Sequence, residues 1–490
     1  MSIQIYNTFS RTKEPLKPVE PGTVRMYVCG ITAYDRCHIG HARSAVVFDA
    51  IFRHLLYRGY KVIYVRNFTD IDDKIINRAK KLGISTQELA QEQIHYFYQD
   101  MDRLYVLRPT VEPRATEHIP QIIKLIMILM KKGYAYESGG DVYFSVRRFD
   151  SYGALSRRDP DELRAGARIA IGEYKKDPLD FALWKGAKPG EPVWDSPWGP
   201  GRPGWHIECS AMSQEYLGET LDIHGGGLDL IFPHHENERA QSEAATGKTY
   251  VRIWVHNGFV TINGEKMSKS LGNFITIEQI LKKHHPEALR LFLLSKHYRS
   301  PLDYSEKAMK EAELALYRCY SALSQAGAVI QSQVKKKRPL SNEHRESIKV
   351  LDELEMHFDR AMDDDFNTAM ATGYLFEAVR ALNRLSQEFK NRPTVLLKEP
   401  MIKAVRAIEA CGKRIGIFNQ EPEAFLRQRD IEALAELGMT EEQVLEAISR
   451  RKVARQKKDW ATADAIRDEL AQKGIILMDG PSGTTWTIKT

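Results

Sequence analysis

The sequence is poor in cysteine and contains no long apolar run. Five of its 490 residues are cysteines, a small and odd number, so a framework of disulfides is not expected. The most apolar stretch, residues 122–130, is interrupted by Lys124 and is too short to cross a bilayer. The first residues also lack an apolar segment of signal-peptide length. We therefore expect a cytoplasmic protein without a membrane partner.

The chain also lacks a strong excess of charge of one sign. It has 71 Lys and Arg residues against 65 Asp and Glu residues, which gives a net charge of +6. This weakly basic balance permits a polyanionic partner such as a nucleic acid without requiring one. The length is sufficient for roughly two to four domains.

The N-terminal part of the chain has the pattern of a βαβ unit. Residues 24–30 and 61–66 are apolar and β-branched, which is typical of strands. Between them, apolar residues recur every four positions from 47 to 55, as on one face of a helix. Two strands joined by a helix favour the α/β class, with a parallel sheet of Rossmann type.

The rest of the chain changes character several times. Loops and short strands interrupt the α/β pattern, which later resumes and is followed by a long helical stretch and a small terminal unit with a basic helix over Arg450–Leu470. We predict a Rossmann-type catalytic domain with an insertion, then an α-helical bundle and a small C-terminal domain. The predicted segments are 1–112 and 203–260 for the two halves of the Rossmann domain, 113–202 for the insertion, 261–305 for a region with a lysine loop, 306–420 for the helical domain and 421–490 for the terminal domain.

Two short motifs suit the binding of phosphates. His38-Ile39-Gly40-His41 follows the first strand and begins the first helix, where amide groups and the helix dipole favour an anion. Gly40 allows close approach of a ligand. Gly264–Asn273 reads GEKMSKSLGN, a glycine-flanked loop with two lysines that could stabilise charge on pyrophosphate. Taken separately, a helix cap and a solvated lysine loop are the plainer interpretations.

Together the two motifs resemble the signature pair of the class I aminoacyl-tRNA synthetases, HIGH and KMSKS in that order. Further stretches are similar to one class I family, the cysteinyl-tRNA synthetases, and the similarity covers essentially the whole chain. These stretches are Val28–Gly30, NFTDIDDK at 67–74, DPLDFALWK at 177–185, Pro203–Met212, Asp222–Glu238, DDDFNTAMA at 363–371 and the GTTW near the C-terminus.

The resemblance implies a ligase that activates L-cysteine with ATP, releases pyrophosphate and transfers the cysteinyl group to the 3′-terminal adenosine of tRNA(Cys). It implies one Zn²⁺ per chain that coordinates the substrate thiolate, and Mg²⁺ with ATP. The implied zinc ligands are Cys29, Cys209, His234 and Glu238. The implied catalytic residues are His38, His41, Lys266 and Lys269; the ATP site adds Gly40, Gly226 and Asp229. The implied substrate pocket consists of Cys29, Thr69, Trp205, His224 and His234. A monomer without an obligate protein partner is the family default.

The residues themselves agree with the implied metal set. His234 and Glu238 are four positions apart, hence on one face of a helix, and two thiolates, an imidazole and a carboxylate are suitable zinc ligands. A set made of Cys29, Cys37, His38 and His41 has usable spacings but would consume the phosphate-binding histidines. A zinc-protease motif is excluded because position 239 is arginine rather than histidine.

Some interpretations stay open at the level of sequence. A related class of ligases transfers cysteine to an amino-sugar, and a non-catalytic RNA-binding relative is a second alternative. The full helical domain argues against the first, and the intact motifs argue against the second. The basic residues Arg450, Arg451, Lys452, Arg455, Lys457 and Lys458 could contact RNA phosphates or form a solvated helix face. Trp486 could stack on an anticodon base or close a small core.

Overall fold

The structure is a computed structural model, and it describes residues 2–159, 161, 174–267, 273–480 and 483–488. The chain divides into two compact units. The first consists of Met1–Leu316, Lys349–Ala378 and Arg406–Ile417, and the second of Tyr317–Ile348, Val379–Val405 and Phe418–Thr490. None of the helices in the described part of the chain combines the length and the apolar character needed to cross a bilayer.

A four-stranded parallel sheet forms the centre of the first unit. Its strands, in spatial order, are Val251–Asn257, Leu221–Gly227, Thr23–Thr32 and Lys61–Thr69. Every neighbouring pair is parallel. The strands are rich in Val, Ile and Tyr and almost continuously buried, as expected of a parallel sheet covered on both faces. The predicted α/β class with a parallel sheet is confirmed.

The other strands of the first unit form smaller sheets. Between residues 135 and 203 four strands make an antiparallel sheet. The strands outside the central sheet are Gln4–Asn7, Thr12–Pro15, Ala135–Ser138, Asp141–Phe144, Phe181–Gly186, Gly201–Pro203, Val260–Ile262, Glu265–Lys266 and Leu302–Tyr304.

Most of the described residues after residue 305 are helical. The helices up to there are Ile39–Tyr57, Asp73–Leu82, Thr86–Arg103, Ile119–Lys131, Trp205–Leu217, Glu236–Thr246, Ile277–Leu281 and Pro286–Leu294. Those that follow are Glu306–Gln331, Asn342–Asp352, Leu354–Asp363, Thr368–Asn391, Lys398–Arg414, Pro422–Glu436, Glu441–Gln456 and Trp460–Gln472.

The predicted single basic helix over Arg450–Leu470 is wrong, because the segment is two helices. The first ends at Gln456 and the second begins at Trp460. Lys458 between them has a φ of 60°, a left-handed conformation that interrupts the helix. Asp459 then caps the second helix by accepting a hydrogen bond from the backbone N–H of Thr462, at 3.1 Å.

The end of the second unit is a small core under a hairpin. The strands Ile475–Gly480 and Gly483–Ile488 pair antiparallel. Trp486, 5% exposed, packs into the cluster beneath them, and the guanidinium of Arg427 lies 4.7 Å from its ring centre. The structure therefore favours a core role for Trp486 over base stacking.

A buried ion pair holds the helix Ile39–Tyr57, named here the HIGH helix, inside the first unit. Asp49 and Arg290 are both fully buried and pair directly. Asp49 also accepts a hydrogen bond from Arg53 Nε at 2.8 Å, and Arg290 donates to the carbonyl oxygen of Leu104 at 3.0 Å. Desolvation is costly for both charges, so each depends on the other.

We expect the substitution Arg290→Met to lower the free energy of unfolding by about 3 kcal/mol, because the buried Asp49 carboxylate loses one of its two arginine partners and keeps only Arg53. Arg108→Met is a matched control, since it breaks an exposed pair with Asp102 and should cost less than about 1 kcal/mol. Thermal unfolding of the two variants checks this. Equal transition temperatures would contradict the assigned role of the buried pair.

Candidate active site and metal centre

Four metal-ligand side chains from separate parts of the chain meet beside the central sheet. Cys29 lies near the carboxyl end of Thr23–Thr32, and Cys209 lies on the helix Trp205–Leu217, named here the cysteine helix. Glu238 is in the first turn of Glu236–Thr246, and His234 lies in the short turn just before that helix. One donor atom from each lies within 4.8 Å of the others.

The distances within this cluster are short. Cys29 Sγ lies 3.9 Å from Cys209 Sγ and 3.3 Å from Glu238 Oε1. His234 Nε2 lies 2.9 Å from the same carboxylate oxygen. Cys209, His234 and Glu238 are buried, whereas Cys29 is partly exposed. Two sulfurs, one nitrogen and one carboxylate oxygen form a donor set suited to a divalent transition metal.

A second group of donors overlaps the first. Cys29, His224, His235 and Glu238 also lie within 4.8 Å of one another. His235 Nε2 is 3.3 Å from Cys29 Sγ, and its Nδ1 is 2.8 Å from His256 Nε2. The two groups share Cys29 and Glu238, so one ion can use only one of them at a time.

Hydrogen bonds from behind orient the donors. Glu238 Oε2 is 2.8 Å from His224 Nε2 and accepts a hydrogen bond from Tyr250 Oη at 3.2 Å, which turns Oε1 toward the cluster. The Nδ1 atoms of His206 and His234 are 2.9 Å apart, so one donates to the other. Partners of this kind fix the orientation of metal-binding side chains.

The electrostatics of the cluster favour the anionic form of two of its donors, Cys209 and Glu238, but not of Cys29. Burial raises the pKa of the Cys29 thiol well above its usual value. Burial acts in the same direction on Cys209, but hydrogen bonds with Cys29 and His234 lower the pKa of Cys209 to about 6. Burial also opposes the charge of Glu238, yet His224 and His234 hold the pKa of Glu238 well below its usual range. Cys209 and Glu238 are therefore in the anionic form that metal binding requires.

The start of the HIGH helix is organised by its two histidines. His38 Nδ1 accepts a hydrogen bond from Gly40 N–H at 3.0 Å, and His41 Nδ1 accepts one from His38 N–H at 3.3 Å. The rings stack with centroids 3.8 Å apart. Because Nδ1 is the acceptor in both neutral rings, Nε2 carries the proton and is the donor. A Cβ at Gly40 would lie 2.8 Å from the His38 ring, so a side chain there would displace it.

One cavity of about 920 Å³ joins these groups. The predicted site residues that line it are Cys29, His38, Gly40, His41, Thr69, Trp205, Cys209, Asp229 and His234. His224, Gly226 and Glu238 do not line the cavity but are buried behind its wall. Gly227, the neighbour of Gly226, is a lining residue. Lys266 ends the strand Glu265–Lys266, and Lys269 falls outside the described residues.

The structure adds residues that the sequence did not single out. His206, His235 and Tyr250 contact the metal cluster, as described above. Glu208 is fully buried and accepts a hydrogen bond from the Thr69 hydroxyl at 2.8 Å. The only signal in the sequence was their position: Glu208 and His235 stand beside the predicted metal ligands Cys209 and His234, and His206 stands beside the predicted pocket residue Trp205.

Comparison with protein-family models divides the chain into three matched segments. The model of the class I (C) tRNA synthetase catalytic domain matches residues 15–314. The model of the DALR domain matches residues 357–418. The model of the cysteinyl-tRNA ligase anticodon binding domain matches residues 432–486.

Curated relatives match over their full length. The cysteine–tRNA ligase of Syntrophotalea carbinolica is 55% identical, with 99% of each chain covered. That of Geobacter sulfurreducens is 53% identical, with 100% of each chain covered. Among solved structures, methionyl-tRNA synthetase from Mycobacterium tuberculosis has a TM-score of 0.63 at 17% identity, covering 86% of this chain and 95% of that one. This last likeness concerns the fold alone.

We expect the metal-stripped protein to bind one Co²⁺ with absorption from thiolate-to-cobalt charge transfer, since two sulfurs lie in the cluster. Cys209→Ala should reduce this absorption, because one of the two sulfurs is lost. Cys37→Ala is the control, since Cys37 is buried elsewhere and belongs to neither donor group. An absorption titration measures both; undiminished intensity in the Cys209 variant would show that its sulfur does not bind metal.

Proposed function

The chain belongs to the cysteine–tRNA ligase family of the class I aminoacyl-tRNA synthetases, and on that premise we propose that Cys29, Cys209, His234 and Glu238 hold one zinc ion that selects cysteine as the substrate. Enzymes of this family are ligases that join cysteine to tRNA at the expense of ATP. The proposal concerns the residues that perform this activity here.

One observation carries the proposal. The thiol-rich donor group and the histidines of the HIGH helix face the same cavity. The amino acid and ATP must meet in one place for the carboxylate to attack the α-phosphorus. A cavity with a thiol-binding group at one wall and a phosphate-binding helix start at another satisfies that requirement.

Of the two overlapping donor groups, the one with two cysteines is the better zinc site. It offers two sulfurs, whereas the other has a second imidazole in place of one of them, and an anionic thiolate compensates the charge of Zn²⁺ better than a neutral imidazole does. Three of its members, Cys29, Cys209 and His234, line the cavity, whereas His224 lies behind Glu238. When bound, zinc would coordinate a thiolate far more strongly than it would coordinate a hydroxyl.

In the activation step, the chain binds and positions rather than providing a nucleophile. The cysteine carboxylate attacks the α-phosphorus of ATP, and pyrophosphate leaves. His38 and His41 donate from Nε2 to the phosphates, and Lys266 and Lys269 stabilise the charge that develops on pyrophosphate. Gly40 and Asp229, which line the cavity, are assigned to the adenosine side, whereas Gly226 lies behind Gly227 in the wall; Mg²⁺ accompanies ATP.

In the transfer step, a hydroxyl of the terminal adenosine of tRNA(Cys) attacks the adenylate. We assign residues 306–420 and 421–490 to the anticodon side of the tRNA. Asp479 pairs with Arg451 and Arg455. The candidates for RNA phosphate contacts are therefore Arg450, Lys452, Lys457 and Lys458. Cytoplasmic location and a monomeric state stay predictions from the sequence.

The proposal is tested by capturing the product. Incubated with labelled cysteine, Mg·ATP and either total tRNA or an amino-sugar acceptor, the protein should transfer label to tRNA and not to the amino-sugar. His41→Ala should abolish most of this transfer by slowing adenylate formation, about a hundredfold for the loss of one donor to the developing charge. Cysteine-dependent pyrophosphate exchange without tRNA charging, but with labelled amino-sugar, would instead place the protein with the amino-sugar ligases.

Zinc-based selection predicts how affinity depends on the metal. Removing zinc should weaken the binding of L-cysteine by at least about a hundredfold, or roughly 2.7 kcal/mol, because the thiolate loses its bond to the metal. The weak binding of L-serine should not change, and restoring zinc should recover cysteine binding. Calorimetry on zinc-loaded and stripped protein measures both; equal affinity of the two forms for cysteine would refute thiol selection by the metal.

A further inference from the structure

Phe274 lies against one of the two histidines at the start of the HIGH helix. It directly follows the motif GEKMSKSLGN in the sequence, is only partly buried and lines the same cavity as the histidines. The centroid of its ring is 4.9 Å from that of the His38 ring, and the ring planes make an angle of 72°. This is an edge-to-face arrangement, which aromatic rings prefer. The residue next to the lysine motif therefore contacts a proposed ATP-binding histidine.

Three contacts hold the His38 ring. Its Nδ1 accepts the hydrogen bond from Gly40 N–H at 3.0 Å, and the His41 ring stacks on it with centroids 3.8 Å apart. The hydrogen bond fixes one atom of the ring, whereas the aromatic contacts with His41 and Phe274 restrict its plane. Of these three contacts, the one with Phe274 comes from outside the HIGH helix. The orientation of the ring therefore depends on a residue that the sequence places far from the helix.

Backbone hydrogen bonds place Phe274 independently of its side chain. The residues that follow it run beside the start of the HIGH helix. Ile39 N–H donates to the carbonyl oxygen of Ile275 at 3.2 Å. Ile277 N–H donates to the carbonyl oxygen of Cys37 at 3.0 Å. Removing the ring of Phe274 should therefore leave the course of the backbone unchanged and affect only the groups that the ring contacts.

We propose that Phe274 is a positioning residue that holds the His38 ring in the orientation in which it donates to the phosphates of ATP. This inference rests on the proposed function, which places ATP at the start of the HIGH helix. A donor stabilises developing charge only when it is aimed at the right position, and a small misplacement reduces its effect strongly. A phenyl ring can restrict the imidazole without competing for its N–H, because it has no polar group of its own.

Two other roles of Phe274 make different predictions. If its ring contacted ATP directly, removal of the ring would slow the reaction whether or not His38 is present. If the ring only stabilised the fold, its removal would lower the unfolding temperature and weaken both substrates together. A positioning role predicts an effect on ATP alone, and only while His38 is in place.

We would measure cysteine-dependent pyrophosphate exchange on the zinc-loaded protein and on F274L, which keeps an apolar side chain without a ring. F274L should lower kcat/KM for ATP about tenfold, because one donor to the developing charge is misaligned but not lost. The KM for L-cysteine should stay within about twofold. Full activity of F274L, or an equal rise of KM for both substrates, would overturn the proposal.

F292L is the matched control. Phe292 forms another edge-to-face pair, with its ring centroid 5.9 Å from that of Tyr304, and neither residue lines the cavity. Its loss should leave kcat/KM for ATP within about twofold. A tenfold decrease in F292L as well would show that removal of any such ring has this effect, and the proposal would fail.

Two further variants test whether Phe274 acts through His38. F274Y keeps the ring and should keep kcat/KM for ATP within about twofold. In the background of H38A, F274L should lower kcat/KM for ATP no further, because the group that the ring positions is absent. Loss of activity in F274Y, or additive losses in the double variant, would overturn the proposal. Thermal unfolding checks that each variant folds, and F274M replaces F274L in the same comparison if F274L does not.

Failure of this inference can be told apart from failure of the proposed function. Pyrophosphate exchange by the unmodified protein and its loss in H38A test the function and the role of His38 alone. If both are observed and F274L is fully active, only the role of Phe274 is wrong. If exchange is absent, or if H38A is fully active, the placement of ATP beside His38 is wrong, and the inference fails with it.

Discussion

The site depends on one fully buried carboxylate. Glu238 would be too costly to bury as an isolated charge, and both of its oxygens are engaged. One faces His234 and Cys29, and the other faces His224 and Tyr250. These partners come from two strands, a turn and the segment before a third strand. The carboxylate therefore requires the central sheet and the helix Glu236–Thr246 to be in place together. Its contacts fix the positions of the proposed metal donors relative to one another.

Much of this arrangement could be predicted from the sequence, because the informative patterns each lie within a short stretch of the chain. Alternation of apolar segments indicated a parallel sheet, and the paired HIGH and KMSKS motifs indicated the family. The four proposed ligands do meet, and the spacing of His234 and Glu238 indicated part of this, since His234 lies in a π-helical turn, Ile231–His235, that leads directly into the helix carrying Glu238. Glu208 and His235 could not be found in this way. Each neighbours a proposed ligand in the sequence, but its contacts, with Thr69 and His256, are made across the fold.

Different parts of the HIGH helix serve ligand binding and stability. Its first turn faces the cavity with two histidines whose Nδ1 atoms are occupied by backbone groups. Further along, Asp49 is tied to Arg290, and near the end His54 Nε2 lies 2.9 Å from Asp363 Oδ1. The polar contacts of the middle and end are buried and mutually compensating, and they fix the position of the first turn beside the cavity.

The order of strands in the central sheet has a consequence for how the protein is made. Thr23–Thr32 pairs in parallel with Leu221–Gly227, so the two strands at the heart of the site are separated by most of the catalytic segment. Contacts between such distant parts of a chain form late, since closing a long loop must precede them. During synthesis on the ribosome, Cys29 emerges well before Cys209, His234 and Glu238. The four proposed metal donors therefore come together only after the strand Leu221–Gly227 and the segment up to Glu238 have been synthesised.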